Sequence, residues 1–285
     1  SSDLHNMFLG YEGNGQVTQS AGLHAVKSVV IGGGRPFKSS GTGTGEYVMS
    51  GGQLQAGSVY VGYGSPGTFR ITGPDARLVV SSLFGLYKNS TFEAVPGSMI
   101  RCRGALVGIT SGDPASVAGW SNLTLLFEGG KEGRMDVSSR FGGGFDSNFA
   151  LGGLVLGGEG YGSLRLQDFA DSGNRSPGLS ESLFVHSLSI RDDSRLDLAG
   201  LAVFVEGNVA DQVDAWIRGG NIIDSKIVPG LFLDAVYNPD AHWTLISSFP
   251  IPEPAAAATL LLFALRGRPR CRRLDCGSGA APAPD

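Results

Sequence analysis

Gly62-Tyr63-Gly64-Ser65-Pro66-Gly67 has the glycine spacing of a dinucleotide-binding turn. In that chemistry the glycines let backbone N–H groups approach a pyrophosphate held at the N-terminus of a following helix. Here Pro66 and the strand-forming run Thr68 to Ile71 follow, so the segment reads as a corner between repeats. Phe141-Gly142-Gly143-Gly144-Phe145-Asp146 approaches the calcium nonapeptide G-G-x-G-x-D, but Phe141 replaces the first glycine and the unit occurs once. Calcium binding by that route needs stacked copies. Asp192, Asp193 and Asp197 carry the oxygens a hard cation takes, but solvated turn and strand-edge positions account for them, and no metal or cofactor is expected.

Cys102 lies between Arg101 and Arg103, and neighbouring cations favour a thiolate. A small buried hydrophobe is the simpler reading of the same position. Cys271 and Cys276 lack the partners a zinc site requires. The four histidines, His5, His24, His186 and His242, lie far apart, and no nucleophile elbow, HExxH or repeated acidic pair accompanies them. No catalytic residue is predicted. A carbohydrate-active enzyme, the alternative, would need a groove with two carboxylates about 5 to 9 Å apart.

Glycine fills 45 of 285 positions and charged residues 17% of the chain, against ordinary shares of roughly 7% and 25%. Turns must be frequent, and 41% hydrophobic content still supplies a core. The glycines follow no G-X-Y period, which excludes collagen. Net charge is −4, and setting aside the five arginines and three acidic residues after residue 252 leaves a body at −6. No stripe of Lys and Arg exists to displace counterions from phosphates, so nucleic acid is excluded as a partner.

The elements that would position any site form a repeat. Gly15-Gln16-Val17-Thr18-Gln19-Ser20, Gly45-Glu46-Tyr47-Val48-Met49-Ser50-Gly51 and Gly67-Thr68-Phe69-Arg70-Ile71-Thr72-Gly73 share one frame, with further copies at Thr91 to Ala94 and Gly162 to Leu166. A second unit recurs as Val29-Val30-Ile31-Gly32, Val59-Tyr60-Val61-Gly62 and Leu154-Val155-Leu156-Gly157, and the 12 residues from Tyr60 to Ile71 align without gaps on Val155 to Leu166. Alternation with a period of two marks strands.

Short strands at intervals of 22 to 30 residues predict an all-β fold, a single-stranded parallel β-helix (β-solenoid) whose coils bury inward side chains on the coils above and below. With a coil of about 22 residues, residues 10–205 hold roughly nine rungs, a rod of about 40 Å at ~4.8 Å per rung. An antiparallel sandwich is the rival, because glycine-rich turns also suit hairpins. Recurrence of near-identical units favours the solenoid. An ice or glycan binding face built from regular Thr is not evident, since Thr42 and Thr44 form a single T-x-T. Asp211 to Arg218 is the one short helix expected in the body, and residues 206–248 are expected to cap the open strand edges.

The tail follows a separate logic. Pro252-Glu253-Pro254 resists helix and strand, because each Pro fixes φ, lacks an N–H and pushes its predecessor towards extended backbone. The 11-residue apolar run Ala255 to Leu265 comes next, then Arg266, Arg268, Arg270, Arg272 and Arg273. An apolar run can enter a bilayer while arginines stay on the cytoplasmic side. As a helix the run reaches about 16 Å, against roughly 30 Å of hydrocarbon, so it spans only by thinning the membrane.

In these features the tail resembles the PEP-CTERM proteins of Gram-negative bacteria, whose signal joins a Pro-Glu-Pro motif, a hydrophobic helix and a basic cluster. The same tail is also called an ice-binding protein C-terminal motif. The resemblance covers about the last 37 residues. It implies export, a transient inner-membrane contact through the tail, and recognition by an exosortase through Pro252, Glu253 and Pro254. It also implies a leader peptide, and none is visible after Ser1. The run from Leu183 to Val205 resembles the closing rungs of autotransporter-like repeat proteins.

Body and tail together predict an exported, non-enzymatic protein of the cell envelope, outer surface or extracellular matrix, with extracellular polysaccharide as its candidate ligand. Residues 1–205 would form the solenoid, 206–248 its closing rungs and cap, and 249–285 a disordered or briefly helical sorting tail. The alternative is a carbohydrate-active β-helix enzyme, a polysaccharide lyase or hydrolase.

Overall fold

The computed structural model describes residues 5–33, 42–141, 144–146, 148–170, 180–191 and 193–250, with backbone alone at 249 and 250. Residues through Phe249 belong to one compact unit. Pro252, Glu253, Pro254 and Arg266, Arg268, Arg270, Arg272 and Arg273 lie outside the described residues, as do Cys271 and Cys276.

The chain is mostly β, with large parallel sheets. It opens with β1 (Asn6–Leu9), β2 (Gly15–Gln19), β3 (Leu23–Ile31), β4 (Gly45–Met49), β5 (Gln53–Val61), β6 (Gly67–Ile71), β7 (Arg77–Leu86) and β8 (Ser90–Ala94). Then come β9 (Ser98–Cys102), β10 (Leu106–Ile109), a 3-10 helix (Pro114–Asn122), β11 (Leu123–Phe127), β12 (Glu132–Asp136), β13 (Gly153–Leu156) and β14 (Ser163–Gln167). The described chain closes with β15 (Leu183–Val185), β16 (Leu188–Ile190), β17 (Arg195–Asp197), β18 (Val203–Glu206), α1 (Ala210–Arg218), β19 (Ile222–Ile223), β20 (Leu231–Asn238) and β21 (Trp243–Pro250).

Early strands pair in parallel with the strand two further along, so alternate strands build separate ladders. One four-stranded sheet runs β2-β4-β6-β8. The 13-stranded sheet starts from β1, β3, β5 and β7 and forks at β7. There Arg77–Val80 pairs with β9, and Leu83–Leu86 pairs with β10. One branch continues β9-β11-β13-β16 and the other β10-β12-β14-β17-β19. Nine strands from β1 to β19 thus lie side by side along one wall among the described residues. These parallel registers exclude the antiparallel sandwich. Pairing turns antiparallel at β18 and β21, in a second four-stranded sheet, β15-β18-β21-β20.

Register converts the sequence repeat into columns of inward side chains. Val17, Tyr47, Phe69 and Phe92 are successive partners across β2, β4, β6 and β8. The last three are fully buried, and the Tyr47 and Phe69 ring centroids sit 5.8 Å apart, edge to face. Each fully buried ring of this kind contributes roughly 1.5–3 kcal/mol. A second column, Ala56, Val80, Cys102, Phe127 and Leu156, contains the cysteine as an ordinary apolar rung. Gln19 continues an otherwise apolar column and is satisfied in place. Its Nε2 donates to the Gln53 carbonyl at 3.0 Å, and its Oε1 accepts from the Tyr47 hydroxyl at 2.7 Å.

Gly62 to Gly67 forms the corner between β5 and β6. Gly62 adopts φ +71°, and the carbonyl of Ile31 occupies the place where a Cβ on Gly67 would stand. The Gly10/Gly15, Gly32/Gly45 and Gly157/Gly162 pairs repeat this close approach of the later glycine to backbone. The ungapped alignment of Tyr60–Ile71 with Val155–Leu166 nevertheless matches different walls. Gly62–Gly67 leads from the large sheet to the four-stranded sheet, whereas Gly157–Gly162 leads from β13 to β14 within the large sheet. The glycine pair specifies a local bend and not the sheet that the bend joins.

The 3-10 helix was not expected. Its sequence cue is Asp113-Pro114: the Asp113 carboxylate accepts from the Ala115 N–H at 3.0 Å, and Pro114 occupies a first-turn position that needs no N–H partner. α1 forms where the helix was expected, beginning one residue earlier.

Candidate functional site

The stack β2-β4-β6-β8 is interrupted at its next level, and the interruption makes a cleft. In place of a fifth strand the 3-10 helix packs on β8. Asn122 Nδ2 donates to the Ala94 carbonyl at 2.9 Å, and Gly119 lies directly against the Glu93–Ala94 backbone. Beyond the helix parallel pairing resumes at Leu151, whose N–H donates to the Phe184 carbonyl at 2.9 Å while the Leu151 carbonyl accepts from the His186 N–H at 2.8 Å. A helix is rounder than a strand and leaves space beside its neighbours. The resulting cavity has a volume of about 540 Å³, bounded by the helix, by Phe145, Asp146 and Asn148 to Ala150, and by His186.

The polar groups lining it fall into two kinds. Asp113 and Asn148 are used by the fold: the first caps the helix, and the second exchanges hydrogen bonds with the Arg140 backbone at 2.7 and 3.1 Å. Asp146 and His186 face the cavity from its rim. His186 Nδ1 lies 2.8 Å from Glu206 Oε2. A carboxylate only accepts hydrogen bonds, so Nδ1 carries the proton in this contact. Phe145 packs on the His186 ring at 5.1 Å and edge-on to Phe184 at 5.2 Å. Phe184 stacks on Phe204 at 4.3 Å, and Trp243 closes the row at 5.0 Å.

His186 and Glu206 meet because they are one rung apart. Val185 is the register partner of Val205, so the residues that follow face each other. The pairing could have been found by aligning Leu183-Phe184-Val185-His186 with Val203-Phe204-Val205-Glu206. Carboxylates and imidazole beside an aromatic ring can hydrogen-bond sugar hydroxyls and cover an apolar sugar face. With Asp113 and Asp146 at the rim and Glu206 behind His186, the cleft disfavours anionic ligands.

Other residues singled out by sequence lie elsewhere. Asp197 Oδ1 accepts from the Ala199 and Ser225 N–H groups at 3.0 and 2.9 Å, so it pins a turn. Asp193 is exposed on the preceding turn, and Asp192, Gly142 and Gly143 lie outside the described residues. Thr44 Oγ1 donates to Asn14 Oδ1 at 2.7 Å. Burial pushes the Cys102 thiol up, against a lowered value from its flanking arginines. Those arginines point outward and bridge Glu128 and Glu159, two carboxylates that sequence reading had not paired.

Among the described residues no helix is long and apolar enough to cross a membrane. Comparison of the chain with protein-family models, with curated proteins and with solved structures finds no match.

Proposed function

We propose that this is an exported, non-enzymatic protein of the cell envelope or extracellular matrix of a Gram-negative bacterium, whose body is a single-stranded parallel β-helix that binds polysaccharide. Pro252, Glu253 and Pro254 would present it to an exosortase, with Arg266, Arg268, Arg270, Arg272 and Arg273 holding the tail at the inner membrane. Residues 1–205 form the repeat body, 206–248 its closing rungs and cap, and 249–285 the sorting tail. The antiparallel pairing of β21 on β18 supports the cap, because it ends parallel addition.

The observation that carries the binding role is the cleft beside the 3-10 helix, where Phe145, Asp146 and His186 surround a volume suited to one or two sugar units. Fractionation of tagged protein tests the delivery: Glu253→Ala is expected to change cellular location or size, and identical behaviour of both forms overturns it. A second reading, a carbohydrate-active β-helix enzyme, is favoured by the His186–Glu206 contact, which places an imidazole oriented by a carboxylate at the cleft. Release of reducing ends or unsaturated sugars by the intact protein, lost in His186→Ala, would establish that second reading.

A further inference from the structure

A second depression lies on the wall formed by β7, β10 and β12, apart from the cleft. Its floor is Gly85 and Gly108, register partners on β7 and β10. Tyr87 stands on one side and Phe169, 87% exposed, on the other. The Tyr87 ring is held by two others: Tyr63 meets it edge-on at 4.8 Å and Tyr60 stacks at 6.2 Å. The volume is about 190 Å³.

The two floor glycines have different reasons. A Cβ at Gly85 would come within 2.8 Å of the Tyr87 ring, so that glycine lets the ring lie over the strand. At Gly108 a Cβ would meet only Asp136 Cβ, at an ordinary 3.5 Å, and the backbone is not in the left-handed region. Packing therefore does not require glycine at 108, and its effect is to keep the floor open. Asp136 is the single carboxylate among the described lining residues, and its two oxygens accept the N–H groups of Phe169 and Ala170 at 2.7 and 3.0 Å. That carboxylate fixes the Phe169 wall, and among the described residues no cation lines the groove to receive an anionic sugar.

We propose that this groove is a binding track for a neutral polysaccharide, with pyranose rings lying between Tyr87 and Phe169 and the chain running across the strands. The floor glycines Gly85 and Gly108 face each other on neighbouring strands, ~4.8 Å apart, about the length of one pyranose unit. Aromatic faces take the apolar C–H side of such rings. The inference rests on the polysaccharide-binding reading above and adds a second site with a stated ligand class.

The test is affinity electrophoresis of the full chain in gels containing hydroxyethylcellulose, a neutral β-glucan, or alginate, a polyuronate. The neutral glucan is expected to retard the wild type. Gly108→Val, a substitution that favours a strand, fills the floor and is expected to weaken binding about tenfold, and Phe169→Ala by a similar factor. Asp193→Asn, on an exposed turn that lines neither site, leaves this retardation unchanged. Wild-type retardation that survives both groove substitutions overturns the groove and leaves the broader reading standing, as does retardation by alginate alone. No retardation in either gel overturns both. Sedimentation velocity supplies the remaining outcome: self-association lost in Phe169→Ala without glucan binding assigns the groove to a second copy and overturns the proposal.

Discussion

The backbone N–H of Glu159 donates to Oε2 of Glu128 at 2.9 Å, so the main chain of an exposed acidic residue is tied to a buried carboxylate. Arg101 and Arg103 bridge the same pair, at 3.3 Å to Glu128 and 2.9 Å to Glu159. The Glu128 side chain has no solvent exposure. Glu128→Gln keeps its shape and removes its charge, leaving two partly buried guanidinium groups with one carboxylate. Loss of about 3 kcal/mol is expected, the lower end for breaking a buried pair. Urea unfolding followed by circular dichroism measures it, and an unchanged midpoint would show that the pair adds nothing.

Stability should fall in acid, with a definable source. Burial alone would raise Asp197, but hydrogen bonds from Ser225 and Ala199 and the charge of Arg165 outweigh it and hold the carboxylate below its ordinary range. Glu159 is held low by its hydrogen bond from Arg101. A carboxylate depressed in the folded state stabilises fully above its unfolded value and loses that contribution as pH falls through the folded value, here below about pH 4. The urea midpoint is expected to drop between pH 7 and pH 3. Asp197→Asn should lower the midpoint at pH 7 and shrink the drop. An equal drop in wild type and variant would remove Asp197 from the account.

Parallel ladders were legible because the apolar alternation at Tyr47, Phe69 and Phe92 recurs at intervals that register can match. The 3-10 helix was not, since Pro114 to Asn122 is rich in small residues and carries no apolar periodicity. The cleft was invisible for the same reason, because it exists only where that helix replaces a strand. His186 looked isolated while its partner, Glu206, lay 20 residues on, and distance along the chain hides contacts between rungs. The glycine corners were read correctly as bends. Which sheet each bend joins is set by strand pairing along the whole chain, which no single motif records.

Cys102 tests whether charge or burial governs a side chain flanked by arginines. The thiol faces inward between Val80 and Phe127 and is fully buried. Arg101 and Arg103 lie on the opposite face of the strand, engaged by Glu128 and Glu159. Alkylation at pH 8 followed by peptide mapping is expected to leave Cys102 unmodified in the folded protein and to modify it in urea. Rapid labelling under native conditions would mean that this column opens readily.

Three glycine substitutions separate steric crowding from backbone strain. At Gly67 the Ile31 carbonyl fills the Cβ position and the Gly62 nitrogen lies 2.6 Å from it, so an added methyl must push two rungs apart. Backbone cannot swing aside as a flexible side chain can, and Gly67→Ala is expected to cost about 3 kcal/mol. Gly22 has open space around its Cβ position but φ +74°, so Gly22→Ala carries strain alone, about 1–2 kcal/mol. Gly13 has open space and no left-handed φ, and Gly13→Ala should stay within about 0.5 kcal/mol of wild type. Denaturant midpoints of the three proteins give the order directly. If Gly67→Ala were as mild as Gly13→Ala, the corner would not be the close contact between adjacent rungs that aligns one ladder with the next, and the stacking that places the cleft and groove would need another cause.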